Sequence, residues 1–225
     1  MPIPAVPAGA SRASGWYNAG AMNLPNQLTV ARCIMTAFFV ALFSFDNVVC
    51  YAVGYVIFVV AAITDYYDGK IARERNLVTN FGKLLDPVAD KVLVVSAFVM
   101  LLGIPAMNVP AWSVVMILAR EFLVTGARAL AAADGTVIAA NKQGKTKTLL
   151  QMIYVCTFLF FAVVLQGLTQ YPAALSVLPG GVEPWIRGIG IASQWSIIVV
   201  AVYTVYSGIV FARENWKVLG LHEVS

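Results

Sequence analysis

Four of the chain's six aspartates fall between Asp65 and Asp90, and no other group of side chains bears so directly on chemistry. Asp65 and Asp68 stand three apart at the end of one apolar run, and Asp86 and Asp90 stand four apart at the start of the next. On helices, residues three or four apart share a face, so two helices meeting here would aim four carboxylates at one point. An ionised side chain at membrane depth costs about 3 kcal/mol, and clustered like charges repel. Something cationic must therefore sit among them. An all-oxygen donor set is the one Mg²⁺ or Mn²⁺ prefers. Lys70, Arg73, Arg75, Lys83 and Lys91 are near in sequence, so an ion-pair knot between helices is the competing reading. Gly69 and Gly82 weigh against the knot: they flank the turn expected from Lys70 to Asn80, where a missing side chain lets a ligand approach the backbone.

Few other residues could do chemistry here. His222, the only histidine, lies four residues from the C-terminus, so proton abstraction falls to a carboxylate. Cys33, Cys50 and Cys156 are odd in number, far apart and set in apolar runs, which points to packing rather than to disulfides or a thiolate metal site.

The stretch from Asp65 to Asp90, read as Asp-x2-Asp-Gly-x2-Ala-Arg-x8-Gly-x3-Asp-x3-Asp, resembles the signature of the CDP-alcohol phosphotransferases at every fixed position: Asp65, Asp68, Gly69, Ala72, Arg73, Gly82, Asp86 and Asp90. The resemblance implies an integral membrane enzyme that displaces CMP from a CDP-linked lipid with an alcohol. It implies a two-metal site of Mg²⁺ or Mn²⁺ held by Asp65, Asp68, Asp86 and Asp90, with Asp90 also the candidate base, and a homodimer. Paired divalent ions roughly 3.5–4 Å apart would stabilise the oxygens of such a displacement. No Ser, Cys or His is placed for a covalent intermediate, which favours direct displacement. Asp68, Gly69, Ala72, Arg73 and Gly82 then look like the CDP cradle, the small residues admitting cytidine and Arg73 pairing with phosphate; for Arg73, simple interfacial snorkelling is the other reading. Asn26, Thr29 and Arg32, at three-residue spacing, resemble the family's amino-terminal nucleotide-site residues.

The acceptor is addressed by a second basic cluster. Arg120 and Arg128 are separated by eight residues, about 80° in projection, and Lys142, Lys145 and Lys147 follow. Five cations beside a site whose metals already neutralise a diphosphate suggest a second anionic group, such as the phosphate of a phosphorylated alcohol. The alternative is positive-inside charge touching anionic lipid heads. The stretches 23–29, 120–128 and 144–152 resemble the branch of the family whose substrates are CDP-diacylglycerol and sn-glycerol 3-phosphate. A same-fold synthase using inositol phosphate or phosphatidylglycerol as acceptor remains open, as does a divalent cation transporter using the aspartates as an ion path.

The elements that must position these groups follow from composition. The 225 residues are 60% hydrophobic and 12% charged, and the mean hydropathy is +0.80. Soluble domains average about a quarter charged, so the solvent for most of this chain is lipid, and nothing points to nucleic acid as a partner. The expected fold is an all-α integral membrane protein of six transmembrane helices. The runs end near Phe45, cover 48 to about 65, about 82 to 103, 110 to 133, 146 to 166 and 189 to 211, and each approaches the ~20 residues that cross ~30 Å of hydrocarbon. Pro87 is either the first helical residue after an Asp86 cap or a kink within a longer helix. A Pro/Gly-rich loop is expected over 167–186.

Residues 1–22 read as a flexible extension without the apolar core of a signal peptide, 23–217 as one catalytic domain and 218–225 as a tail. The formal charge is +4, and its placement matters more than its size. Arg12, Arg32, Lys70 to Lys91, Arg128 to Lys147, Arg213 and Lys217 fall at one set of helix ends, and only Arg187 at the other. Cytoplasmic loops carry the excess of Lys and Arg, so both termini and the carboxylate site are expected to face the cytoplasm, in a multi-pass protein of the inner (cytoplasmic) membrane.

Overall fold

The computed structural model describes residues 24–75, 80–133, 135–136, 138, 142–171 and 181–216; the side chains of 24–28, 65–75, 80–90 and 142 fall outside the description. Six α-helices carry the described residues: α1 (Leu24–Phe43), α2 (Val48–Arg75), α3 (Asn80–Leu102), α4 (Ala111–Ala133), α5 (Lys142–Gln170) and α6 (Glu183–Glu214), with a single 3-10 turn at Pro105–Met107.

Helix α1 buries one face, Thr29, Arg32, Thr36, Phe39 and Phe43, at steps of three and four. That face meets α2 and α3, and its apolar end stacks into them: Phe43 lies 4.5 Å from Tyr51 and Phe39 lies 5.3 Å from Phe58, ring centre to ring centre. A second aromatic group, Phe98, Tyr154 and Phe158, ties α3 to α5. Buried polar side chains join α5 to α6 where apolar packing alone would give little drive in lipid. Tyr154 and Ser193 share a hydrogen bond of 3.0 Å, and Gln151 Nε2 donates to Thr204 Oγ1 at 3.3 Å.

Outward faces are apolar. Val49, Val53, Val56, Val60 and Ile63 line the exposed side of α2, and Ile191, Trp195, Val199, Val202, Tyr206 and Ile209 that of α6. Continuous exposed apolar stripes of this extent mark a membrane-facing surface. By length and composition α5 and α6 are apolar enough to cross a bilayer, with mean hydropathies of 2.3 and 1.9 over their apolar windows; the described apolar parts of α1, α2 and α3, Thr29–Phe43, Val48–Thr64 and Lys91–Leu102, are shorter. Arg120, Glu121 and Arg128 interrupt α4.

Several boundaries differ from those expected. The turn over 70–80 is mostly helix, because α2 continues to Arg75: Lys70 to Arg75 contain good helix formers, and Arg73 and Arg75 suit the negative end of the helix dipole. Gly69 therefore lies inside a helix. Pro87 is not a first helical residue after a cap, since α3 starts seven residues earlier at Asn80. Helix α5 starts at Lys142 and runs to Gln170, and α6 starts at Glu183 with Pro184 in its first turn, where proline's fixed φ is preorganised for a helix. The loop expected over 167–186 is shortened at both ends.

At the end of the bundle away from the aspartates, the α3–α4 connection closes on α6. Asn108 adopts φ 48 and its Nδ2 donates to Gln194 Oε1 at 2.7 Å. Gly190 is needed there: a Cβ on it would lie 2.7 Å from the Ala106 carbonyl oxygen.

Candidate active site

Asp65 and Asp68 lie in the last three turns of α2 and Asp86 and Asp90 in the first three turns of α3. These two helices pack on each other and on α1. The four carboxylates themselves, and the side chains of Asn26, Gly69, Ala72, Arg73, Gly82 and Lys142, fall outside the described residues. Among the described residues no three His, Cys, Asp or Glu side chains come together. The donor set on α2 and α3 is nonetheless one that hard divalent ions take: four carboxylates on neighbouring helix ends, with no thiol or imidazole among them. Pro87 inside α3 adds to this, because it has no N–H to give the Lys83 carbonyl and leaves that oxygen without its helical partner.

The described part of the amino-terminal set is buried. Thr29 and Arg32 are 3% and 5% exposed on the face of α1 that packs on α2 and α3. Thr36 Oγ1 donates to the Arg32 carbonyl at 2.8 Å. An arginine buried in an apolar helix marks a functional position far more often than a structural one.

The second basic cluster comes together around one cavity of about 900 Å³. Arg120 and Arg128 from α4, Lys145 and Lys147 from α5 and Lys91 from α3 all line it, with Glu121 the only acid among the described residues. Val59, Ala62 and Ile63 of α2 add an apolar part of the wall, two to six residues before Asp65, and Lys91 follows Asp90 directly. The cavity thus adjoins the aspartate-bearing segments of both helices.

Its cations are not equivalent. Arg120 is 9% exposed; its Nη2 donates to Ser207 Oγ at 3.0 Å and its Nη1 lies 3.7 Å from Glu121 Oε1. Arg128 lies over the Phe211 ring, 5.2 Å from its centre, a favourable place for a guanidinium. The Nε atoms of both arginines are buried without a hydrogen-bond partner, and a buried donor left unmade costs about 1–3 kcal/mol. Lys145 is exposed. Lys147, expected to grip phosphate, is 4% exposed and ion-paired to Glu121. Helix α5 also begins with no acid in its first turn, although lysines at the positive end of a helix dipole are unfavourable. Backbone N–H groups at a helix N-terminus, together with the exposed Lys145, are suited to an anion.

Glu121 is the residue that sequence reasoning passed over. It is 7% exposed and meets Lys91 Nζ at 3.1 Å, the Lys147 ammonium and Gln151 Nε2 at 3.3 Å. The signal was available, since an acid in the middle of an apolar run demands partners; which partners could not be read, because they come from α3 and α5.

Comparison with known proteins bears on the whole arrangement. Residues 22–178 match the family model described as CDP-alcohol phosphatidyltransferase. The chain is 37% identical over 209 residues to the CDP-diacylglycerol--glycerol-3-phosphate 3-phosphatidyltransferase of Bacillus subtilis (strain 168), an alignment covering 88% of this chain and 97% of that protein. It is 45% identical over 130 residues to the protein of the same name from Rickettsia typhi, covering 58% of this chain and 72% of the other. To that of Salmonella typhimurium it is 39% identical over 137 residues, covering 58% and 73%.

Proposed function

Because the chain belongs to the CDP-alcohol phosphatidyltransferase family, we propose that it transfers the phosphatidyl group of CDP-diacylglycerol to sn-glycerol 3-phosphate, giving phosphatidylglycerophosphate and CMP. The observation that carries the choice of acceptor is the cationic cavity beside α2 and α3: Arg120, Arg128, Lys145 and Lys147 supply more positive charge than one diphosphate substrate would use. Arg128 and the exposed Lys145 on the cavity wall are suited to an acceptor's phosphate group. Relatives bearing that enzyme name, aligned over most of their length, support the same reading.

In this reading Asp65, Asp68, Asp86 and Asp90 hold Mg²⁺ or Mn²⁺, which when bound neutralises diphosphate charge. Arg73 pairs with phosphate while Asp68, Gly69, Ala72 and Gly82 accommodate the nucleotide, and Asn26, Thr29 and Arg32 border it from α1. Arg128 and Lys145 grip the acceptor's phosphate, with Arg120 and the lysine-rich start of α5, Lys142 and Lys147 included, raising the local positive potential. Held so, the acceptor's free primary hydroxyl is presented to the phosphatidyl phosphorus, and fixing that orientation is worth several kcal/mol of the barrier. Asp90 takes the hydroxyl proton, the new O–P bond forms, and the bond from that phosphorus to the CMP oxygen breaks.

The catalytic unit is residues 23–217, six membrane-spanning helices with both ends cytoplasmic, in the inner membrane and as a homodimer. The exposed apolar stripes and the basic residues at one set of helix ends support this placement.

Purified protein given CDP-diacylglycerol and a panel of acceptors tests the proposal. CMP release is expected with glycerol 3-phosphate and to stop when EDTA removes the metal. Release with inositol phosphate or phosphatidylglycerol instead would make it a different synthase of the same fold. Divalent-ion flux into liposomes without CMP release would make it a transporter.

A further inference from the structure

Three cations from three helices converge on one carboxylate. Glu121 of α4 receives Lys91 of α3 on Oε2 at 3.1 Å and Lys147 of α5 on Oε1, and Arg120 Nη1 stands 3.7 Å from that same Oε1. Gln151 Nε2 donates to Glu121 Oε1 and also reaches Thr204 Oγ1 of α6, each at 3.3 Å, which links the group to a fourth helix. Glu121 and all three cations line the cavity assigned above to the acceptor.

Those contacts divide the five cations of the wall. Lys91, Lys147 and one edge of Arg120 face Glu121. Arg128 and Lys145 make no ion pair with it, and the rest of the Arg120 guanidinium turns to α6, with Nη2 on Ser207 and Nε beside Gly208. We propose that Glu121 is a positioning residue for acceptor recognition, fixing Lys91 and Lys147 in the cavity wall so that Arg128, Lys145 and Arg120 meet the acceptor's phosphate in one arrangement. A lysine is a flexible point charge with three rotatable donors. Two of them loose in a cavity of about 900 Å³ would offer an anion many poorly placed poses. Clamped to a buried carboxylate, they supply potential without competing for the phosphate's position. A merely compensating charge would need no such bridging geometry, with separate oxygens committed to separate helices.

This rests on the acceptor being glycerol 3-phosphate, and the experiment separates the two claims. Glu121→Gln strands buried cations and is a poor test because it threatens the fold. Glu121→Asp keeps the charge but, one methylene shorter, cannot reach both lysines. Glu121→Gln combined with Lys147→Met removes one charge of each sign. Kinetics of the full-length protein in mixed micelles should show the Michaelis constant for glycerol 3-phosphate raised at least about tenfold in both variants, the scale of a lost charge-assisted contact. The Michaelis constant for CDP-diacylglycerol should stay within about twofold of the unaltered protein, because a local change in the acceptor wall does not alter uniform binding of the other substrate. Unchanged acceptor constants in the folded variants, or equal rises for both substrates, would overturn the positioning role and leave the function standing. If the unaltered protein does not use glycerol 3-phosphate, both claims fall.

Discussion

An aspartate that ligates a cation and also takes a proton has two duties that a neutral isostere divides. Asp90→Asn keeps an oxygen donor and the shape of the side chain but has no basicity. The expected outcome is a kcat lowered by roughly 10²–10⁴-fold, the range of a lost general base, with binding of CDP-diacylglycerol within about threefold; steady-state rates and equilibrium binding on the same preparation check it. A variant with near-normal kcat would remove Asp90 from the proton's path. At this scale the sequence was informative about the pairing of Arg120 with Arg128, whose eight-residue separation puts both on the same cavity, while the aspartate side chains lie outside the described residues. It misled about Lys147, which charge patterning assigns to a substrate and the fold assigns to Glu121. The reason is physical: helical spacing reports only neighbours on one helix, and this ion cluster is built from residues 91, 121 and 147.

The passage of Arg120 across α6 depends on an absent side chain. A Cβ on Gly208 would lie 2.9 Å from Arg120 Cγ, while Gly188 on the same helix has nothing within 4 Å of its Cβ position. Gly208→Ala is expected to destabilise by about 1–3 kcal/mol through overpacking and to weaken glycerol 3-phosphate binding by moving Arg120; Gly188→Ala is expected to do neither. Thermal unfolding in detergent and acceptor titrations on both variants distinguish them. Helix existence was legible from apolar runs of nearly bilayer length, whereas helix ends were not. Charged residues at Lys70 to Arg75 and Lys142 to Lys147 look like turns to a hydropathy reading, yet their propensity and tertiary packing carry the helices through them. Pro87 shows the converse, a proline inside α3 where its position next to Asp86 suggested a helix start.

Across the whole molecule large apolar side chains fill the core and also cover the outer faces, while buried polar groups such as Arg120, Glu121 and Lys147 are enclosed between helices. Phe38, Phe122, Leu123, Leu130 and Trp195 are each at least 60% exposed, an arrangement stable only where the surroundings are themselves apolar. Helix α6, at 32 residues, is about 48 Å long, enough to pass the hydrocarbon and both interfacial layers. The proposed orientation, with both ends cytoplasmic, predicts that a fluorescent protein fused after Ser225 fluoresces and that alkaline phosphatase inserted within 172–180 is active in the periplasm. The opposite pattern would invert the orientation. The apolar outer surface was legible from composition alone, whereas the gathering of α3, α4 and α5 around one cavity needed the tertiary structure.

That cavity also governs what happens after the chemistry. The phosphate it would hold takes no part in the bond exchange, so the lipid formed carries away the same anionic handle by which the alcohol was captured. On the proposed acceptor site, the same arginines and lysines would hold the new phospholipid's phosphate after the transfer, and its release would depend on acyl tails immersed in the bilayer drawing the head group out sideways.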